Sequence, residues 1–210
     1  MAYVLSCLAG SDDRGSMTYH LLGLILILLG FFHMFDEINP LEVYLVQFVQ
    51  QISKNKSLLF FFKEVWFFGR TSFSVLLLVF LICINWKTGL ITTGVFLVFV
   101  GIEYLLKTLY FRKRPYAAHH EIAMLQPLEP SDSSFPSGDT MRVWYLALII
   151  SASAGDSVFF LGAIISLAIL VTLGRLVMGV HYLTDTLTGA GLGILEAGTT
   201  IWLWNLLKIL

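Results

Sequence analysis

The chain has 210 residues, of which 57% are hydrophobic and 13% are charged, whereas a soluble domain carries about 25% charged residues. Together with a mean hydropathy of +0.82, this composition indicates an integral membrane protein and excludes an ordinary soluble domain. The formal net charge is −1, so no overall positive field points to a nucleic-acid partner.

Six stretches of the chain are apolar enough to be membrane-spanning helices, although two are a few residues short of the roughly 20 that a span requires. We therefore predict an all-α bundle of six transmembrane helices that forms a single domain over residues 1–210. The predicted spans are 18–35, 69–85, 89–110, 140–154, 158–178 and 183–207.

Residues 40–57, between the first two spans, carry apolar side chains at helical spacing with glutamines among them. This pattern is typical of a short amphipathic helix that lies in the membrane interface. The alternative interpretation is that these residues extend the second span.

The one long polar connection, residues 111–139, contains four of the five prolines of the chain. A polar loop of this length in a compact bundle is usually functional. We therefore expect it to contribute to a site.

Lys107 and Arg114 lie seven residues apart at the end of the third span. Two helical turns separate them, so both side chains can project from one side and clamp an anion. Taken alone, Lys107 could instead snorkel toward the lipid headgroups, as Arg112 and Lys113 are expected to do. Glu103, one turn before Lys107, can hold the lysine stem in place.

Residues 135–139 place Pro136, Ser137 and Gly138 just before the fourth span. Free backbone N–H groups and the helix dipole can form an anion site there, to which Ser137 adds a hydroxyl donor. The alternative is an ordinary helix start, because Pro, Ser and Asp are all common at that position.

Arg175 ends the fifth span, and His181 and Asp185 lie four residues apart at the start of the sixth. A carboxylate at that spacing can hold one imidazole nitrogen and raise the basicity of the other, as a nucleophilic or basic histidine requires. A histidine at a membrane edge is otherwise a structural donor. Ionisable residues in membrane segments are costly and tend to be functional, which favours the first interpretation.

The number of spans also predicts where these three clusters lie. With six spans, the connections after the first, third and fifth spans share one membrane face, which brings all three clusters together. A different count between any two clusters would separate them by about 30 Å.

These motifs resemble those of a known family. Residues 107–115 read Lys-x6-Arg-Pro, residues 136–138 read Pro-Ser-Gly, and residues 175–185 read Arg-x5-His-x3-Asp. In order and internal spacing they resemble the three-part signature of the type 2 phosphatidic acid phosphatase superfamily. The resemblance covers spans three to six, about half of the chain.

The resemblance implies a six-helix membrane fold that removes phosphate from a lipid without a metal or another cofactor. It also implies that His181 attacks phosphorus to form a phosphohistidine and that Asp185 orients the ring. The residues implied to hold the phosphoryl oxygens are Lys107, Arg114, Ser137, Gly138 and Arg175.

Two positions depart from the family pattern. Gly174 replaces a serine, and Asp139 replaces the histidine that follows Pro-Ser-Gly and acts in the family as the general acid. An aspartate with the ordinary pKa of about 3.9 needs roughly 4 kcal/mol to be protonated at pH 7. Asp139 can therefore be the catalytic acid only if its pKa is strongly raised, and the nearby cations oppose that.

Three explanations of Asp139 remain open at this point: another acid such as His119 or His120, an inactive chain, or a substrate that needs no proton donor. We favour the last, because a phosphate leaving group has a second pKa near 6 and departs with little acid assistance. A polyprenyl diphosphate such as undecaprenyl diphosphate is then a better candidate than a phosphatidate-like lipid.

The sequence thus predicts a membrane lipid phosphatase or diphosphatase whose partners are phosphorylated lipids. Alternatives are a lipid phosphotransferase that uses the same histidine and a non-catalytic lipid-binding homologue. The positive-inside tendency would place the site in the cytoplasm, whereas the resemblance favours the outer face of a bacterial inner membrane, which is our expectation.

Overall fold

The computed structural model describes residues 13–34, 38–154 and 157–209. These residues form helices joined by turns and one long loop, and no strand occurs among them, so the predicted all-α class is confirmed. The α-helices are α1 (Asp13–Gly30), α2 (Ile38–Gln50), α3 (Lys56–Val65), α4 (Thr71–Ile84), α5 (Trp86–Leu109), α6 (Pro115–Ala118), α7 (Gly138–Ala154), α8 (Val158–Val177) and α9 (Leu183–Leu206).

Residues 40–57 do not form a continuous extension of the second span, because α2 ends at Gln50, a 3-10 turn, Gln51–Lys54, follows it, and α3 begins only at Lys56. Asn55 then has an extended backbone and caps α3, accepting hydrogen bonds from the N–H groups of Ser57 and Leu58 at 3.0 and 3.2 Å. Such a cap satisfies N–H groups that the first helical turn leaves free. α2 is therefore a separate helix, as the amphipathic pattern predicts.

Three helical stretches of the described residues are long and apolar enough to cross a membrane: Ser16–Met34, Trp86–Leu109 and Val158–Val177. The pair Lys56–Gly69 and Thr71–Ile84, bent by 46°, makes a fourth if it is counted as one span. The chain is therefore an integral membrane protein, and the count of six spans stays a prediction. Phe35, the predicted end of the first span, lies outside the described residues.

Helices also occupy the predicted fourth and sixth spans, but they differ from the other spans in their surroundings. α7 has only 17 residues, and α9 is buried along nearly its whole length. The buried side chains of α9 include four threonines and two carboxylates. Because neighbouring helices rather than lipid cover α9, its polar content is higher than that of a lipid-facing span.

Small residues let α9 approach its neighbours closely. A Cβ on Gly191 would lie 2.7 Å from the backbone oxygen of Gly23 in α1. A Cβ on Gly189 or Gly193 would overlap the backbone oxygens of Ser137 and Met141. The glycine stripe thus brings the starts of α7 and α9 together, and the Ser137 N–H donates to the Asp185 carbonyl at 3.0 Å.

Candidate active site

A cavity of about 460 Å³ opens where α5, α7 and α8 meet the long loop. Six of the eight residues predicted for the site line it, and two do not: Ser137 and Asp185 lie behind its wall. The predicted residues in the lining are Lys107, Arg114, Gly138, Asp139, Arg175 and His181.

His181 presents one ring nitrogen to the cavity cations and the other to the backbone. Its Nδ1 lies 2.7 Å from the carbonyl oxygen of Ser134, which can only accept, so Nδ1 carries the proton. Nε2 then holds a lone pair, 3.1 Å from Nη1 of Arg114. Burial, together with the Arg114 charge, lowers the pKa of His181 to about 3. The ring is therefore a neutral imidazole with its lone pair beside the cations.

The predicted direct bond between His181 and Asp185 is wrong. The nearest carboxylate oxygen is 3.8 Å from Nδ1, beyond hydrogen-bond distance. His181 lies two residues before α9 begins, so the spacing that aligns side chains on a helix does not apply.

Asp185 instead holds the segments that carry the ring. Its Oδ2 accepts from the Ser134 hydroxyl at 2.5 Å and from the Tyr182 N–H at 2.8 Å. The second contact belongs to a capping box at the start of α9. Ser134 also supplies the carbonyl that binds Nδ1. Asp185 therefore positions His181 indirectly, through Ser134 on one side of the ring and through the backbone of the next residue, Tyr182.

Arg112 is part of this arrangement, although the sequence predicted that it would snorkel. Its guanidinium contacts Asp185 at 2.7 Å and Glu42 at 2.5 Å, and it lies 3.9 Å above the Tyr182 ring. Burial by itself lowers the pKa of Arg112, but Asp185 and Glu42 outweigh that effect and raise the pKa. Glu42 also accepts from the Thr184 N–H at 2.9 Å. One signal in the sequence could have indicated this pair, namely the carboxylate of Glu42 among the apolar residues of the amphipathic segment.

Lys107 and Arg114 share a carboxylate from the long loop. Asp132 accepts a short hydrogen bond from the Lys107 ammonium, and its other oxygen lies 2.6 Å from Nη2 of Arg114. Burial raises the pKa of Asp132, but the two cations outweigh it and lower the pKa to about 2. The predicted pair of cations does clamp an anion, and that anion is a half-exposed side chain of the protein itself.

Arg175 is the cation with unused donors. It is 2% exposed, and its Nη2 donates to Gln126 at 2.6 Å and lies 3.2 Å from Asp139. Its Nε and Nη1 have no hydrogen-bond partner among residues 13–34, 38–154 and 157–209. Buried donors are nearly always paired, so these two nitrogens point to an anionic ligand.

Asp139 is surrounded by donors. Its carboxylate accepts from the Trp66 indole at 2.8 Å, lies 2.6 Å from Nη2 of Arg142 and faces Arg175. Hydrogen bonds and cations at both oxygens favour the ionised form. The geometry therefore opposes the role of proton donor, which the sequence allowed only with a strongly raised pKa, and favours a role in positioning the two arginines.

Gly138 and Ser137 contribute differently from one another. Gly138 lines the cavity, and a Cβ there would overlap the carboxylate of Glu103, which also pairs with Lys107 and Arg142 at 3.3 and 3.2 Å. The hydroxyl of Ser137 is fully buried and lies 3.0 Å from that of Thr140. The predicted hydroxyl donor for phosphate is therefore turned away from the cavity.

The alternative acids predicted from the sequence lie elsewhere. Neither His119 nor His120 belongs to the cavity lining. His119 instead packs edge-on against Tyr182 and lines a separate groove beside α2.

Comparisons with known proteins agree with this architecture. The family model described as PAP2 superfamily matches residues 86–208, more than half of the chain. Aquifex aeolicus LpxE has a TM-score of 0.66 and 24% identity, covering 76% of this chain and 93% of that chain. A PAP2 type phosphatidylglycerolphosphate phosphatase from Bacillus subtilis has a TM-score of 0.69 and 23% identity, covering 88% and 93%. These identities establish the fold alone. A search of the curated proteins gives no match.

Proposed function

The chain belongs to the PAP2 superfamily, and from this premise we propose that it is a membrane lipid phosphatase that works through a phosphohistidine at His181. One observation carries the proposal: the unprotonated Nε2 of His181 lies 3.1 Å from Arg114, on the cavity that holds the other cations. Lowering of the pKa to about 3 keeps this nitrogen a free base at neutral pH. A nucleophile must have its lone pair available where the phosphate binds, so the Arg114 N–H that Nε2 accepts must turn to the phosphate when it binds.

In the first step, Nε2 of His181 forms a bond to phosphorus while the bond from phosphorus to the lipid oxygen breaks. The electron pair stays on that oxygen, and the positive charge that develops on the ring is stabilised by the hydrogen bond that Nδ1–H donates to the Ser134 carbonyl. Water then attacks phosphorus, releases inorganic phosphate and restores the neutral ring. One of the similar solved structures is a phosphatidylglycerolphosphate phosphatase, which supports the substrate class.

Charge on the three equatorial oxygens is stabilised by cations and backbone amides. The free Nε and Nη1 of Arg175 supply one pair of donors. The first amides of α7 supply others, since the first intrahelical bond of that helix begins only at Met141. Lys107 and Arg114 join when phosphate replaces the carboxylate of Asp132.

A lipid diphosphate fits this site better than a monophosphate. Asp139 is held in its ionised form, and neither loop histidine lines the cavity. A lipid phosphate departs with less acid assistance than an alcohol, because its second pKa is near 6. We therefore propose a polyprenyl diphosphate ahead of a phosphatidate-like lipid.

The test is phosphate release in detergent, with a chelator present, from phosphatidate, phosphatidylglycerophosphate, phosphorylated lipid A and a polyprenyl diphosphate. His181→Ala should abolish release, and Asp139→His should raise turnover of monophosphates relative to the diphosphate. Release that survives His181→Ala would contradict the phosphohistidine. A native enzyme that prefers a monophosphate would contradict the argument from Asp139.

The same assay separates the other functions. With a second lipid present as acceptor, a phosphotransferase would consume the lipid phosphate without releasing inorganic phosphate. With that lipid withheld, it would release inorganic phosphate. A non-catalytic homologue would leave every substrate intact.

We further propose that the site lies on the outer face of a bacterial inner membrane. An impermeant thiol reagent should then label a cysteine placed at Glu121 in intact cells.

A further inference from the structure

One cation of the cavity, Arg70, takes no part in the ion pairs of the site. It follows the 3-10 turn Trp66–Gly69 at the break between α3 and α4, and it lines the same cavity as His181. Each of the other four cations in the lining contacts a carboxylate or the histidine. The guanidinium of Arg70 has no hydrogen bond or ion pair with any residue in the described ranges.

An aromatic ring holds Arg70 in place. Its guanidinium carbon lies 5.1 Å from the centroid of the Trp66 ring, and that of Arg175 lies 5.6 Å from the same centroid. Trp66 is itself fixed, since it is 8% exposed and its indole N–H donates to Asp139. Stacking on an indole orients a guanidinium without neutralising it. Arg70 therefore keeps its full set of donors beside the phosphate site.

We propose that Arg70 forms a second anion subsite, which binds the phosphate group next to the scissile phosphate of a lipid diphosphate. This inference rests on the proposed function of the cavity. The scissile phosphate occupies the donors of Arg175 in front of His181, so the adjoining phosphate reaches the guanidinium that shares the same indole ring. Guanidinium matches the paired oxygens of a phosphate group.

The subsite has a chemical consequence for the first step. The bond from the scissile phosphorus to the bridging oxygen breaks, its electron pair stays on that oxygen, and the lipid leaves as a monophosphate. Arg70 then binds the charge that develops on this leaving group. A leaving group that is stabilised in this way needs no proton. This explains how the site can work with an ionised aspartate, Asp139, in place of a proton donor.

The experiment compares a mono- and a diphosphate of one polyprenol in neutral detergent. Arg70→Gln should lower kcat/KM for the diphosphate by about tenfold to a hundredfold, the worth of one charged hydrogen bond, and should change the monophosphate less than about twofold. Arg70→Lys keeps the charge without the paired donors and should fall between. Lys87→Gln is the matched control, because Lys87 also lies near an indole, 5.8 Å from the Trp86 ring, outside the cavity lining.

Two results would overturn the proposal. An equal loss on both substrates would mean that Arg70 does not recognise the second phosphate. A loss seen only in anionic phospholipid vesicles, and not in neutral detergent, would assign Arg70 to a bilayer headgroup.

If the native protein releases phosphate from no lipid, the proposed function fails, but the subsite is still tested by calorimetry. Arg70→Gln should then weaken the binding of inorganic diphosphate at least fivefold and leave inorganic phosphate unchanged. Equal weakening of both would reject the subsite.

Discussion

The two halves of the cavity differ in how completely their polar groups are paired. Around His181, the proposed nucleophile, Asp185 accepts from Arg112, Ser134 and the Tyr182 N–H, and both ring nitrogens of His181 have partners. On the opposite wall, Arg175 keeps two buried nitrogens without partners in the described chain, and Arg70 keeps all of its donors. In the proposed mechanism the fully paired half is preorganised for attack, and the half with free donors receives the anion.

This difference predicts that one half controls folding and the other controls binding. Removing a partner from the paired half leaves buried charges uncompensated. Removing a free donor from the other half costs only the interaction with substrate.

The largest expected effect is on the anion side. Arg175→Gln should lower kcat/KM about a thousandfold, because an arginine that binds the phosphoryl group in the transition state is worth at least that much. The temperature of unfolding in detergent should fall less than it does for Arg112→Gln, because Asp139 keeps Arg142 and the Trp66 indole as partners when its contact with Arg175 is lost. An enzyme that stays active but unfolds at a much lower temperature would show that Arg175 is structural.

The next effect is on the nucleophile side and concerns stability first. Arg112→Gln leaves Glu42 and Asp185, which are 3% and 0% exposed, without their cation. Breaking a buried ion pair costs about 3 kcal/mol or more, so the unfolding temperature should fall clearly, together with kcat. Lys113→Gln is the matched control, because Lys113 is exposed and adjacent in sequence. Equal effects of the two substitutions would show that the ion pairs of Arg112 with Glu42 and Asp185 do not stabilise the fold.

The sequence was sufficient to predict that the three motif clusters lie together. The three motif clusters could be placed together because each lies at the end of a helix, and helix ends on one side of a bundle converge. Glycines at four-residue spacing likewise indicate that α9 packs closely against a neighbour, although the spacing does not say that the neighbour is α7. Helix periodicity and motif spacing carry that information.

The partners of the catalytic groups could not be predicted in the same way. His181 binds the backbone of Ser134, and a carbonyl leaves no signature in the side chains. Arg112 pairs with Glu42, which is 70 positions away on a separate helix. Such contacts depend on tertiary packing, as does the burial of the polar side chains of α9 by other parts of the protein.

The smallest expected change, taken per pH unit, is a pH dependence of stability that arises at His181. The folded pKa of His181 is lowered to about 3 from 6.5, so between these values the unfolded chain binds a proton that the folded chain does not. The free energy of unfolding therefore rises with pH in this window and falls as the pH drops below 6.5, by at most about 1.4 kcal/mol per unit. Thermal unfolding from pH 7 to pH 4 measures it.

His181→Gln should flatten this slope, because glutamine does not titrate. Asp132, with its pKa lowered to about 2, contributes stability above its unfolded pKa that is lost only below about pH 4, so it does not affect the upper part of the window. A slope between pH 6.5 and 5 that persists in His181→Gln would mean that another group titrates there. The pH dependence of stability would then not arise from His181, and it would give no support to a neutral imidazole in the folded chain.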